Sequence, residues 1–341
     1  MALSLRAGKP TDTREFFAGR RTRRPESEEP DGARPGIKSA LGSDMQPDVW
    51  SVILAAGAGR RLASITGGVP KQFWRPRGKT SLLDDTIDRL APLVPTSRMV
   101  TVVDESHRSH VNAMPMPDRL GEVVYQPEDR GTAAGALLGV LSVIAEAPGA
   151  IVVLTPSDHG VRCPNVFRQG LRTAFDLLRR EQSRVVLFGV QPDRACGDYG
   201  WIVPDRAPRP DVPVQVAGFV EKPPAGQARA LREAGAVWST MVVAARGSAL
   251  VTLFARHLPD LYAALAPLTS YVGADRQRYL QAIYPALERC DFSRDLLEDA
   301  RDLSLFVWPA TMGWSDLGTP DRLMAWCGAE AVSHLTASSA A

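Results

Sequence analysis

The sequence predicts an α/β domain with a mostly parallel sheet covered by helices on both faces. Three observations lead there. Short apolar runs rich in β-branched residues recur along the chain, and segments of helical period lie between several of them. The runs are apolar throughout rather than on alternate residues, as expected for strands buried on both faces. Of the 341 residues 45% are hydrophobic and 23% charged, the balance of a globular chain able to bury a large core.

Residues 1–46 differ from the rest. They mix charges of both signs with Pro10, Pro25, Pro30 and Pro35 and show no apolar period, so a disordered N-terminal extension is expected. The strand-like runs begin at Val49: Val49–Ala55, Met99–Val103, Glu122–Tyr125, Ile151–Leu154, Val185–Val190, Val214–Val220, Trp238–Ala244 and Leu305–Trp308. Ser81–Leu90 places Leu82, Leu83, Ile87 and Leu90 on one helical face, with Thr80 or Ser81 as N-cap. Thr132–Glu146 is apolar nearly all round and predicts a buried helix. Asn165–Arg180 repeats Val166, Leu171, Phe175 and Leu178 at helical spacing, and helices packed at the side are expected from Leu250 to about Asp302. Residues 47–330 thus form one expected domain, and 331–341 a flexible tail.

Composition excludes several functions. The net charge of +2 lacks the basic excess of a nucleic-acid binder. Cys163, Cys196, Cys290 and Cys327 are scattered without a C-x-x-C pair, which disfavours a disulfide scaffold or a zinc knuckle. The longest weakly polar stretch, Ala133–Ala145, is too short to span a bilayer. Arg20-Arg21 is followed by charge instead of a hydrophobic segment, and a cytoplasmic protein is expected. There are five lysines (Lys9, Lys38, Lys71, Lys79, Lys222), so 35 of the 40 basic residues are arginine. A lysine at a motif position is therefore informative, because it supplies a compact charge where arginine supplies a planar fork.

In such folds ligands bind beyond the carboxyl ends of the strands. The first strand runs into Gly57-Ala58-Gly59-Arg60-Arg61-Leu62, whose glycines let the backbone turn sharply and aim N–H groups at an anion. Leu62 stands where a dinucleotide fingerprint needs its third glycine. Gly78-Lys79-Thr80 lacks the earlier glycine of a P-loop, since Phe73 occupies that place. Pro70-Lys71-Gln72-Phe73 follows the glycine loop. From here the chain resembles the sugar-1-phosphate nucleotidyltransferases, most of all their mannose-1-phosphate guanylyltransferase branch. The resemblance continues in order through Gln126–Ala133, Leu154-Thr155-Pro156-Ser157-Asp158-His159, Tyr199-Gly200, Phe219-Val220-Glu221-Lys222-Pro223 and Trp314-Ser315-Asp316-Leu317-Gly318-Thr319. It spans about Val49 to Leu323.

The resemblance implies a Rossmann-like sheet of the nucleotide-diphospho-sugar transferase type. It implies transfer of a nucleotidyl group from GTP to mannose 1-phosphate, giving GDP-mannose and pyrophosphate with Mg²⁺. Arg61, Lys71 and Asp158 would be catalytic, and Asp158 and Asp316 would hold the metal. Ala55, Ala56, Gly57, Gly59, Arg60, Gln126, Gly131 and Thr132 would bind the nucleotide, and Tyr199, Gly200, Glu221, Lys222 and Ser239 the sugar phosphate. The chemistry suits these residue types. Two polyanions must meet, so cations and backbone donors matter more than a general base. Hard carboxylate oxygens suit Mg²⁺.

Read as local structure instead, Asp158 would cap a helix before Pro164, Asp316 one near Pro320, and His159 would be structural. The chain departs from the branch at Ser64, where a proline is usual, and at Gly131, often Asn. It departs again at Trp238-Ser239-Thr240-Met241, where Trp-Asn-Ser-Gly lines the sugar pocket. These changes leave the phosphate chemistry untouched and the sugar identity open, with glucose 1-phosphate as the alternative. Separate competing readings are another NTP and a catalytically silent nucleotide-sugar sensor of the same fold, against which stand the retained Arg61, Lys71, Asp158, Lys222 and Asp316. Partners are expected to be small-molecule substrates, without nucleic acid or membrane, and homo-oligomerisation stays open. The chain ends 25 residues past Asp316, so a single activity is expected.

Overall fold

Val49–Leu54 (β1) has the sequence VWSVIL and is buried on both faces, Trp50, Val52 and Leu54 facing one core and Val49 and Ile53 the other. That alternation places β1 in the middle of a sheet. In the computed structural model, which describes residues 49–76, 80–209 and 212–328, it pairs in parallel with Met99–Asp104 (β2) and Ile151–Pro156 (β4). Between these lie Ala63–Thr66 (α1), Leu82–Leu90 (α2), Arg108–Asn112 (α3), Glu122–Gln126 (β3) and Thr132–Glu146 (α4). Ser81 caps α2 through a reciprocal capping box with Asp84.

The chain continues through Gly160–Val161 (β5), Pro164–Arg180 (α5), Val185–Val190 (β6), Gly200–Pro204 (β7) and Val214–Glu221 (β8). Ala225–Glu233 (α6), Val237–Arg246 (β9), Gly247–His257 (α7), Pro259–Leu265 (α8) and Gly273–Ile283 (α9) follow. Leu303–Trp308 (β10), Trp314–Ser315 (β11) and Pro320–Cys327 (α10) complete the described chain. The expectations for residues 1–46, for 331–341 and for Gly78-Lys79 lie outside the described residues.

The nine-stranded sheet runs β3-β2-β1-β4-β9-β6-β10-β8-β7. The expectation of a mostly parallel sheet is corrected here. Strands β3, β2, β1 and β4 are mutually parallel and β10 is parallel to β6, whereas β9 is antiparallel to β4, β6 and β7, and β8 to β10 and β7. The β7–β8 hairpin and the insertion of β9 between β4 and β6 cause the difference, because a reversed strand needs no crossover helix. Strand β7 and helix α6 are additions to the sequence reading. Helices cover both faces as expected: α4, α7 and α8 close one core, and α2 and α5 the other.

The buried α4 depends on small residues. Gly139 lies over β1 and β2, and a Cβ there would run into Val52 Cγ1 and meet Val102 Cγ2 at 3.0 Å. Gly139→Val is therefore expected to lower unfolding free energy by about 1–3 kcal/mol through overpacking. Urea denaturation of the variant checks it, and an unchanged midpoint would mean that α4 can shift freely.

Candidate active site

The carboxyl ends of β1–β4 open on one cavity of about 560 Å³. Its walls include Ala56, Gly57, Gln126, Gly131, Thr132 and Asp158, so six of the sequence-singled residues share one space. A larger cleft of about 670 Å³, around Arg184, Arg256 and Asp302, lies by the amino ends of β6 and β10 and shares none of them.

The first loop is shaped by its glycines and by Gln72. Around Gly57 a Cβ would meet nothing within 4 Å, so this backbone borders open space. Gly59 has φ +63°, and a Cβ there would sit 2.8 Å from the Lys71 backbone nitrogen. Gln72 Nε2 donates to the carbonyls of Ala55 at 2.7 Å and Gly57 at 3.0 Å, and Ala55 itself is buried behind the cavity wall. Arg60 and Arg61 begin a 3-10 turn and are exposed. Gln72 was legible only as part of the Pro70–Phe73 motif, without a role.

Lys71 is the centre of the arrangement. Its Nζ lies 3.0 Å from Asp158 Oδ2 and donates to the carbonyls of Asp316 at 2.6 Å and Leu317 at 3.2 Å. Burial alone would raise the Asp158 carboxyl, but the Lys71 ammonium outweighs it and holds the carboxyl below its ordinary range. From beneath, Thr86 Oγ1 donates to the Ser157 carbonyl at 3.2 Å and Arg89 to that of His159 at 3.3 Å. Burial pushes the His159 ring down to about 4, so it is neutral and accepts from Trp314 Nε1 at 3.3 Å, a structural role. The short antiparallel bridge β5–β11 pairs Gly160 with Ser315, which brings the Asp158 turn beside the Asp316 turn. Neither aspartate caps a helix: Cys163 and Thr319 occupy the positions before α5 and α10.

Asp316 has partners that the sequence did not suggest. Arg322 Nη1 donates to its Oδ1 and Oδ2 at 3.1 and 2.9 Å, and the Tyr199 hydroxyl to Oδ1 at 2.9 Å. Burial and then the Asp316 charge push the Tyr199 phenol far up, so it stays protonated and donates. The expected sugar-side set is not gathered in the cavity. Lys222 Nζ pairs with its neighbour Glu221 at 2.6 Å, and Ser239 Oγ accepts from the Met241 nitrogen at 3.2 Å. Gly200 packs against Glu221 and Phe219. These residues sit around the mixed half of the sheet and at the rim of the cavity: Glu221 faces the lining residues Asp291 and Arg294, and Tyr199 reaches Asp316.

A register shift between β6 and β9 bulges β9 where Met241 stands, with φ +57°, and Met241 lines the cavity. The opposite wall comes from residues 289–295. Cys290 N donates to the Arg130 carbonyl, Ala133 N to that of Cys290 (both 3.1 Å), and Phe292 N to Thr132 Oγ1 at 2.8 Å. Gly131, at φ +85°, lies flat on the Cys290 carbonyl, which a Cβ would strike. Packing thus accounts for glycine at this position. Gln126 is buried, and its Oε1 has no hydrogen-bond partner.

The Nucleotidyl transferase family model matches residues 50–329. The chain is 27% identical over 287 residues to a mannose-1-phosphate guanylyltransferase of Sinorhizobium fredii, covering 82% of this chain and 55% of that one. It is 30% identical over 280 residues to one of Escherichia coli, covering 79% and 58%. The chain therefore spans just over half the length of these curated relatives. A solved structure from Thermus thermophilus, described as a mannose-1-phosphate geranyltransferase, superposes with a TM-score of 0.70 at 30% identity, covering 80% of this chain and 76% of that one. Among the described residues, no helix is long and apolar enough to cross a membrane.

The floor of the first loop is acid-sensitive. His107 is buried beside Gln72 and Phe73. Burial, with His110, outweighs Asp104 and the Ala55 carbonyl and holds its ring below the ordinary histidine range. The unfolded chain therefore takes up a proton near pH 6.5 that the folded state refuses, so this stability is present above that pH and lost below it. The stability difference between wild type and His107→Leu should shrink as pH falls from 7 to 5 in thermal melts. A difference independent of pH would contradict the assignment. Gly131→Ala should separate the loop from Cys290 and lower the melting temperature, with a cost of more than about 1 kcal/mol.

Proposed function

The chain belongs to the nucleotidyl transferase family, and from that premise we propose that it transfers a guanylyl group from GTP to mannose 1-phosphate. The observation that carries the reading is the single cavity in which Gly57, Gln126, Gly131, Thr132 and Asp158 converge, with the buried Lys71 ammonium 3.0 Å behind the Asp158 carboxylate.

The chemistry is an in-line attack of a sugar phosphate oxygen on the α-phosphorus, with pyrophosphate leaving. The attacking oxygen is already ionised, so no general base is required. Charge is the obstacle: two unit charges at roughly 4 Å repel by about 4 kcal/mol at an effective dielectric near 20. The open space at Gly57 lets phosphate oxygens approach the backbone, and Lys71 can exchange Asp158 for the triphosphate. Arg61, exposed beyond the loop, is free to follow the pyrophosphate. Gln126 Oε1 offers the acceptor that a guanine N–H needs, and Glu221 and Lys222 would receive the acceptor sugar phosphate.

The family typically uses a divalent metal, and the residues fit a hard cation. The Lys71 ammonium already draws oxygen from both aspartate turns, one carboxylate and two carbonyls. Asp158 and Asp316 would hold Mg²⁺, which would supply positive charge to offset that of the reacting phosphates.

Pyrophosphate release with four NTPs crossed against mannose, glucose, galactose and N-acetylglucosamine 1-phosphates tests the proposal. GTP should be preferred by about 10-fold or more, since a mispaired buried group costs about 1–3 kcal/mol. Lys71→Ala should lower kcat by about 10²–10³, and Asp158→Asn should raise the Mg²⁺ requirement. A preference for UTP or dTTP would overturn the base. The Met241 bulge and Ser239 favour some tolerance of glucose 1-phosphate. No turnover from folded protein with any pair would favour the sensor.

A further inference from the structure

The acids and bases of the centre cancel. Lys71 faces Asp158 and Arg322 faces Asp316, with side-chain exposures of 8, 30, 11 and 16% respectively. Arg322 is itself fixed: its Nη2 donates to Asp198, and its guanidinium lies 4.7 Å over the Tyr199 ring. With Tyr199 also on Oδ1, three acceptor positions of the Asp316 carboxylate are taken. A carboxylate has about four, which leaves one on Oδ2.

We infer that Arg322 is a positioning residue that keeps Asp316 charge-compensated, so that the centre takes a divalent cation only together with a triphosphate. The inference rests on reading Asp158 and Asp316 as the cation ligands. A small divalent cation gives up its waters reluctantly and needs uncompensated oxygen. In the free protein it would have to expel the ammonium from Asp158 and leave Lys71 buried without a counter-charge, which is strongly unfavourable. A triphosphate reverses the balance. It offers Lys71 other anionic oxygens, frees Asp158 Oδ2 towards the cavity and adds several negative charges. Asp316, still oriented by Arg322 and Tyr199, then presents its remaining Oδ2 position.

Mn²⁺ binding followed by water proton relaxation tests this without any turnover. Free wild-type protein should show no bound Mn²⁺ at submillimolar concentration, and addition of GTP or UTP should produce the enhanced relaxation of a protein-bound ion. Arg322→Leu should bind Mn²⁺ at least about tenfold more tightly without nucleotide, because one carboxylate loses its counter-ion. Arg322→Lys, which restores the charge, should return to wild-type behaviour. Tight Mn²⁺ binding by the free wild type, no gain with either nucleotide, or an unchanged affinity in folded Arg322→Leu would each overturn the inference. If Arg322→Leu does not fold, Arg322→Gln, which keeps hydrogen-bonding reach without the charge, takes its place with the same expected gain. Failure of the guanylyl-transfer reading would appear in the substrate panel and leave the Mn²⁺ measurement readable.

Discussion

The site depends on one buried ammonium. Lys71 is the point at which three distant pieces of chain meet: its own 3-10 turn, the Asp158 turn after β4, and the Asp316–Leu317 backbone 245 residues away. An isolated charge at this depth would be prohibitive, so the oxygens around it are a condition of its burial rather than an optional gain. They also fix where the first loop can run, since the Lys71 backbone nitrogen is what a side chain at Gly59 would strike. A small apolar cluster of Leu62, Trp74, Leu82, Leu317 and Leu323 ties the same pieces together from below.

Backbone strain gathers around this centre. Among the described residues, four without glycine's freedom have positive φ: Lys222, Met241, Leu317 and Asp302. Three of them belong to the site or its rim. Leu317 adopts that conformation while turning its carbonyl to Lys71, and Met241 adopts it at the bulge that puts its side chain into the cavity. Such conformations cost about 1–3 kcal/mol each and persist where surrounding contacts determine them. Here the Thr240 hydroxyl on the Phe188 carbonyl and the β5–β11 bridge are those contacts.

The cavity has one rigid wall and one compensated floor. The loop from Gln126 to Thr132 is bonded to residues 285–292 through both backbone and side chains, so this wall is preformed. The floor is different. Here each base is matched to a carboxylate, Lys71 to Asp158 and Arg322 to Asp316. On the proposed reading, such preorganised donors suit a reaction whose main barrier is charge.

Much of this was legible in the amino-acid sequence. Fully apolar runs and helical periods specify buried strands and covering helices, because burial on both faces leaves a local composition signature. The segments that meet at the cavity were legible for a similar reason: Gly57, Gln126 and Asp158 lie in short contiguous segments at or just past the ends of strands β1, β3 and β4, and Lys71 in the motif that follows the first loop. Strand direction in the second half was not, since β9 reads the same in either direction and only its neighbours β4 and β6 orient it. Nor were the partners of Asp316. Arg322 is one arginine among 35, and nothing local distinguishes it from a solvated surface charge. Its role arises only when α10 packs beside Tyr199 and Asp198, because an ion pair is specified by proximity in space and carries no periodicity along the chain.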